Sequence, residues 1–347
     1  MAAMVVFAVF GGLACSGGQE GPRPAASGGE AGASGAPGVN GGSPNTTAGA
    51  STAGTPGMSG GSSPVVSGGS TGQGGAPVVG PSLGANVMTW VPPYHVAESR
   101  QQLSANFGGA TMADGLSFLA LQFWLTDGPA TRLDQATEAD VSWFHDWARQ
   151  HGVKILLCVH NNTGDWNWPE AGRSFRDNRD AFVVHLLSEV QRRDFDGVDL
   201  DLEGIIEPTA EDAQGYRALV QALADGLHPQ GKVLTMDSFH GQWNAPNWNW
   251  WPDLLPLVDG ITSMGYEQSG LNVDYQELVD HAAVAPQKLM IGVPSYQGTW
   301  QGHSVTEHLD WLVQQGQVGT SIWDASLSAL EWQQRGVWDQ LKTIKTR

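Results

Sequence analysis

From residue 86 onward, apolar residues fall into short runs separated by longer stretches in which they recur every three or four positions. Short runs rich in Val, Ile and Leu read as buried parallel strands, and the wider spacing reads as helices with one apolar face. The runs lie at 86–91, 118–124, 154–159, 195–202, 233–236, 260–264, 288–292 and 319–323. Helical stretches between them cover 138–150, 174–192, 210–227, 275–283 and 305–315, the first preceded by Thr137, a good N-cap residue. Strand–helix alternation implies parallel strands joined by crossover helices. Eight strands over residues 86–347 predict an α/β fold of the (β/α)8, or TIM, barrel kind, for which about 250 residues is usual. A doubly wound open sheet is the second arrangement. It favours a Gly-rich turn after the first strand, where this chain has Val91-Pro-Pro-Tyr94.

Residues 1–85 carry no such pattern. They hold about half of the 46 Gly and none of the 15 Trp. Residues 16–85 are Gly, Ser, Ala, Thr and Pro with almost no charge, too little apolar area to offset the entropy of folding. This stretch is expected to be a disordered tether with a root-mean-square span of about 45 Å. Ahead of it, an apolar run from Val5 to Leu13 ends in small residues and Cys15. That start resembles a bacterial lipoprotein signal, although no Lys or Arg precedes the run and Gly12 stands where Leu is usual. The resemblance implies export to the cell envelope and a lipid on Cys15. No run of about 18 apolar residues exists, so a lipid would be the chain's only membrane contact.

The formal net charge is −18, nearly all of it behind residue 85. Such a domain repels phosphate backbones and anionic lipid, which excludes nucleic acid as a partner. The chain's 2 Cys cannot form a disulfide framework or a Cys-rich zinc site. Cys158, inside the third strand, reads as a small buried apolar residue.

The fourth strand carries the densest chemistry: Asp196-Gly-Val-Asp199-Leu-Asp201-Leu-Glu203. Alternate residues of a strand share a face, so Asp199, Asp201 and Glu203 point one way and Val198, Leu200 and Leu202 the other. In a barrel the apolar set meets the helices, and the acidic set ends at the C-terminal mouth, where barrel active sites lie. Three carboxyls at that spacing cannot all ionise, so at least one should stay protonated near neutral pH, as a general acid must. A metal site would be expected to recruit His or further carboxylates from neighbouring strands, and neither metal nor cofactor is expected.

Asp-Gly-x-Asp-x-Asp-x-Glu resembles the signature of glycoside hydrolase family 18, the chitinases and certain endo-β-N-acetylglucosaminidases, and the resemblance covers about residues 86–340. It implies Glu203 as general acid/base, Asp201 as the carboxylate that orients the substrate's N-acetyl group, and Asp199 as its inner partner. It also implies a mechanism in which the substrate's acetamido oxygen is the nucleophile, the substrate-assisted route to retention.

Further positions match or depart from the family. Met264-Gly-Tyr266-Glu267 resembles its Met-x-Tyr-Asp, with Tyr266 implied to hydrogen-bond the acetamido oxygen and Glu267 one methylene longer than the usual Asp. Trp323 matches the Trp that floors the cleavage subsite. Asp196 and Asp237 are weaker candidates for substrate contact. Where the family often shows Ser-x-Gly-Gly, this chain has Cys158-Val-His160-Asn161, and His160 and Asn161 are candidates for binding sugar hydroxyls. Trp166, Trp168, Trp243, Trp248, Trp250 and Trp251 cluster after the third and fifth strands and are candidate stacking platforms.

The expected activity is hydrolysis of a β-linkage beside N-acetylglucosamine, in chitin or chitooligosaccharides or in the chitobiose core of N-glycans, with peptidoglycan-type glycans third. The protein is expected to act as a monomer. A non-hydrolytic, lectin-like barrel is the alternative from a different class. It would normally lack the catalytic Glu, which is present here as Glu203.

Overall fold

The computed structural model describes residues 85–164, 166–204, 208–238, 248–264 and 274–347. Cys15 and residues 16–84, as well as Trp243, Tyr266 and Glu267, lie outside them.

Eight parallel strands close into a barrel: β1 (Val87–Val91), β2 (Phe118–Asp127), β4 (Lys154–His160), β5 (Gly197–Asp201), β6 (Val233–Ser238), β7 (Gly260–Ser263), β8 (Leu289–Pro294) and β11 (Gly319–Trp323). The ring is completed by parallel pairing of β1 with both β2 and β11. All eight predicted runs are barrel strands, shifted at their ends by a few residues. β2 runs on past the barrel rim and turns back at Gly128 into an antiparallel strand, β3 (Ala130–Leu133), which the sequence reading had not assigned. A small hairpin, β9 (Thr299–Trp300) with β10 (His303–Ser304), follows β8.

The helices are α1 (Val96–Leu103), α2 (Met112–Gly115), α3 (Glu138–His151), α4 (Trp168–Gly172), α5 (Arg179–Arg192), α6 (Ala210–Leu227), α7 (Trp251–Leu254), α8 (Tyr275–His281), α9 (Val305–Gln315) and α10 (Arg335–Lys345). Their starts are local chemistry. Thr137, Thr209 and Ser304 each accept a bond from the backbone N–H three residues on, while the acid at that position accepts from the capping residue's own N–H. The reading of one helix over 174–192 is corrected: a short wide turn over Arg173–Asp177 ends at Asn178, and α5 starts afresh at Arg179.

Strand alternation sorts the interior into two layers. Leu119, Leu121, Ile155, Leu157, Val198, Leu200 and Ile261 face outward onto helix residues such as Phe144, Leu186, Leu219 and Leu341. Met88, Trp90, Phe118, Ala120, Leu156, Cys158, Val233 and Met290 fill the barrel's inside. Gly197 sits at the inner base of β5 because a Cβ there would run into the Val233 carbonyl. β2 breaks the alternation once: Leu121 pairs with Leu157, but Trp124, three residues on, pairs with Val159, two residues on. This bulge leaves Phe123 and Trp124 both in the outer layer, against Phe144 and Phe195.

Candidate active site

The carboxyls of β5 rise through the barrel toward its C-terminal mouth, and all are buried, with Asp199 at 0%, Asp201 at 2% and Glu203 at 5% exposure. Asp199 is the innermost. It accepts bonds from Trp90 Nε1 at 2.9 Å and Thr235 Oγ1 at 2.5 Å, so strands on two sides hold it. Asp201, one inward step higher, accepts from Gln122 Nε2 at 2.5 Å, and the Glu203 carboxyl beside it bears on its charge.

Burial decides the protonation of this column. It is the largest effect on Asp201, whose pKa is pushed up to about 6, with the neighbouring Glu203 carboxyl and the bond from Gln122 opposing it and the charge of Asp199 adding to it. Asp199 is raised for the same reason, held back by its bonds from Thr235 and Trp90. Asp237, on the neighbouring β6, is fully buried and raised well above the carboxylate range, first by burial and then by Asp199, Asp201 and Glu203. Both of its carboxylate oxygens are sealed from solvent inside the barrel, beside the inner acids and beneath the mouth. It is therefore corrected from a candidate substrate contact at the mouth.

Two other expectations change with the geometry. Asp196 lies at the opposite, N-terminal end of β5, where it accepts from Ile155 N at 2.8 Å and pairs with Arg149 at 3.2 Å. It ties β5 to β4 and α3 and is not a substrate contact. Asn161, just after β4, is 0% exposed. Its Oδ1 accepts from Glu203 N at 2.8 Å and its Nδ2 donates to Glu203 O at 2.9 Å and to Asn167 O at 3.1 Å. Its amide is spent on fixing the Glu203 backbone and is not offered to a sugar.

The remaining candidates surround the mouth. Trp323 ends β11, 5.6 Å from Trp90 between ring centroids, and the peptide that follows it is cis. Met264 follows β7 and joins the inner apolar cluster with Trp323. His160 ends β4 and is 3% exposed. Burial depresses its pKa to about 3, with the Arg132 charge adding to the effect, so the ring is neutral. Of the loop tryptophans described, Trp166 lines, with Trp323 of β11, a cavity of about 250 Å³ at the mouth. The others are corrected from platforms to packing. Trp168 lies against Phe175, Tyr216 and Trp250, Trp251 donates to Ser238, and Trp248 stacks on His281 at 3.6 Å. The indole of Trp168 also backs Gly204, where a Cβ would run into it.

Sequence reasoning missed Trp90, Gln122 and Thr235, which hold the carboxyls. Gln122 had left a signal: one amide inside an otherwise apolar run must find a partner if it is buried. Among the described residues, one group has metal-ligand proximity: Cys158, Asp201 and Asp237 offer atoms within 4.8 Å of one another. Burial raises the proton affinity of all three, so the group favours protons over the deprotonated donors a cation needs. The chemistry this arrangement can perform is proton delivery at the mouth from a carboxyl backed by a buried, proton-holding column.

The sequence model of the family described as Glycosyl hydrolases family 18 matches residues 91–345. No curated protein sequence matches the chain. Among solved structures, the chain is similar to a chitinase from Chromobacterium violaceum, with TM-score 0.59 and 14% identity over 76% of this chain and 99% of that one. It is similar to the spore cortex-lytic enzyme SleL of Bacillus cereus, with TM-score 0.59 and 14% identity over 76% of this chain and 75% of that one. It is similar also to an N-acetylglucosaminidase from Paenibacillus barengoltzii, with TM-score 0.57 and 14% identity over 75% and 99%. At such identities these likenesses speak for the fold.

Proposed function

The chain belongs to glycosyl hydrolase family 18 and is a glycoside hydrolase, and from that premise we propose that it cleaves a β-glycosidic bond beside N-acetylglucosamine with retention, using the substrate's own acetamido group as nucleophile. The observation that carries the reading is the buried column of Asp199, Asp201 and Glu203 rising along and just past β5 to the barrel mouth, with Asp201 raised to about 6. Glu203 gives its proton to the leaving oxygen and later takes one from water. Asp201, once turned from Glu203 to the acetamido N–H, steadies the oxazolinium charge, and Asp199 beneath it supplies further negative potential. Trp323 offers the apolar face on which the reacting sugar rests. Tyr266 and Glu267 keep the roles proposed from their motif.

Chitin-type glycans are the favoured substrates, as a chitinase and an N-acetylglucosaminidase are among the similar structures. The chitobiose core of N-glycans is the second class. The test is a panel of chitooligosaccharides and N-glycoproteins given to the wild type and to Glu203→Gln. Turnover by the wild type should fall about a hundredfold to ten-thousandfold in the variant. Binding by the wild type without turnover would instead support a lectin-like barrel. A thiazoline analogue of the oxazolinium should inhibit strongly, and indifference to it would count against substrate assistance.

We propose further that the chain is exported and carries a lipid at Cys15, with residues 16–85 as a tether. Processing that globomycin blocks supports this, whereas a mature chain with unmodified Cys15 removes the lipid.

A further inference from the structure

The mouth cavity has one wall that the reading above leaves unused. It is formed by the β2–β3 hairpin, which carries Arg132 and Asp134, and by His160 at the end of β4. The cavity reaches from there to Gln122, the residue that holds Asp201, and to Trp323. Whatever fills it sits next to the reacting sugar.

Two observations say what that wall lacks. Nine of the arginines in the described residues pair with a carboxylate, and Arg347 donates to the Leu312 carbonyl. Arg132 alone among them makes neither kind of contact, in a chain with 35 acidic residues. Its neighbour His160 is more than nine-tenths buried, and neither ring nitrogen has a hydrogen-bond partner. Among the described residues the nearest carboxylate oxygen, on Asp134, is 3.9 Å from Nε2, too far for a bond. A buried imidazole with nothing to bond is completed by a ligand, and the exposed Arg132 guanidinium, with no counter-ion, leaves its charge open to one.

From this geometry, and resting on the hydrolase reading above, we infer that Arg132, His160 and Asp134 form a subsite for a sugar bearing a carboxylate, adjacent to the N-acetylglucosamine at the cleavage point. Arg132 takes the carboxylate on its planar fork. His160 and Asp134 take hydroxyl or amide groups of the same ring, the gap between them being wide enough for a ligand atom to bond both. Trp166, whose ring is 6.3 Å from that of His160, gives the ring an apolar side. A single negative charge suits the wall better than a phosphate or sulfate ester cluster, because Asp134 and the acid column lie close by. The domain's overall negative field does not forbid it, since salt screens distant charges beyond about 8 Å and leaves the contact with Arg132 intact.

Two glycan sources share this chemistry: a 3-O-carboxyethyl ether on N-acetylglucosamine, and a uronic acid. The experiment measures binding in Glu203→Gln by calorimetry, so that it does not depend on turnover. The probes are chitotetraose, a tetrasaccharide alternating N-acetylglucosamine with its 3-O-carboxyethyl ether, and a hyaluronan tetrasaccharide. One of the two carboxylated probes should bind about tenfold tighter than chitotetraose, and which one does so identifies the source. Adding Arg132→Gln should abolish that ratio, and Arg132→Lys should keep part of it. Equal or tighter binding of chitotetraose, or a carboxylate preference that survives Arg132→Gln, would overturn the assignment. Wild-type turnover of the same probes is followed alongside. A carboxylate preference without any turnover supports the subsite and counts against the hydrolytic reading alone.

Discussion

The side-chain amide of Asn161 is bonded to both backbone polar groups of Glu203, accepting at 2.8 Å and donating at 2.9 Å. The residue after β4 thereby fixes the residue just past the end of β5, where the ladder between the two strands has ended at His160 and Asp201. The proton donor of the proposed mechanism is held by a side chain that does not itself reach the mouth.

Asn161→Ala should therefore act on the position of Glu203 and leave sugar binding nearly unchanged. The expected outcome is a fall in kcat of about a hundredfold, the scale of an ångström-sized misplacement, with KM within about threefold. Steady-state kinetics on a chitooligosaccharide separate the two. A rise in KM at constant kcat would make Asn161 a substrate contact after all.

Gln122 donates to Asp201 and lowers its proton affinity. Gln122→Met removes that bond, so the Asp201 pKa must rise above its present value of about 6. The limb of the pH profile of kcat/KM that belongs to Asp201 should move to higher pH. An unmoved profile would separate Asp201 from that limb.

Stability carries the same signature. The folded pKa of Asp201 is about 6 against the ordinary 3.8 of an Asp carboxyl, so folding favours the protonated form. The associated stability is complete below the unfolded pKa and is lost as pH rises through the folded one. Asp201→Asn cannot ionise and escapes this loss. Its stability relative to the wild type should thus increase by about 1 kcal/mol between pH 5 and pH 8. Urea unfolding of both proteins at the two pH values gives the difference, in which the contributions of the histidines cancel. A difference that shrinks with rising pH contradicts the raised pKa.

Gly204 is pressed against the Trp168 indole. Gly204→Ala should destabilise the fold by about 2 kcal/mol and lower activity, because strain enters next to Glu203. Combined with Trp168→Phe, the loss should be smaller than the sum of the two single losses, since the smaller ring relieves the same contact. Strict additivity in thermal unfolding would show that Trp168 is not what the added methyl meets.

The barrel was readable because its two periodicities are imposed by burial: apolar runs for strands walled on both sides, and three-to-four spacing for helices. The acid column was readable because charge at every second position of an apolar strand has few structural explanations. The partners that hold the column were not, since Trp90 and Thr235 look like ordinary strand residues until β1 and β6 are brought beside β5. Asn161 was read as a sugar contact because an amide's chemistry is the same toward a hydroxyl and toward a backbone. Trp248 was misread for a related reason: an indole in a loop suits stacking on sugar and stacking on His281 equally well. α10 escaped notice although Val337, Trp338, Leu341 and Ile344 have helical spacing, as its first residue follows Gln334, which makes no side-chain cap.

The bulge in β2 bears on how any relative of this chain must be aligned. Counting by twos from Phe118 finds the inward residues correctly as far as Gln122, then assigns Trp124 to the substrate side, where Leu125 in fact lines the cavity. The extra residue is absorbed on the helix side, so a homologue one residue shorter here would present the same inner wall with a different count. Maps of substrate-facing positions in this strand hold across such homologues only when numbered from both of its ends toward the bulge.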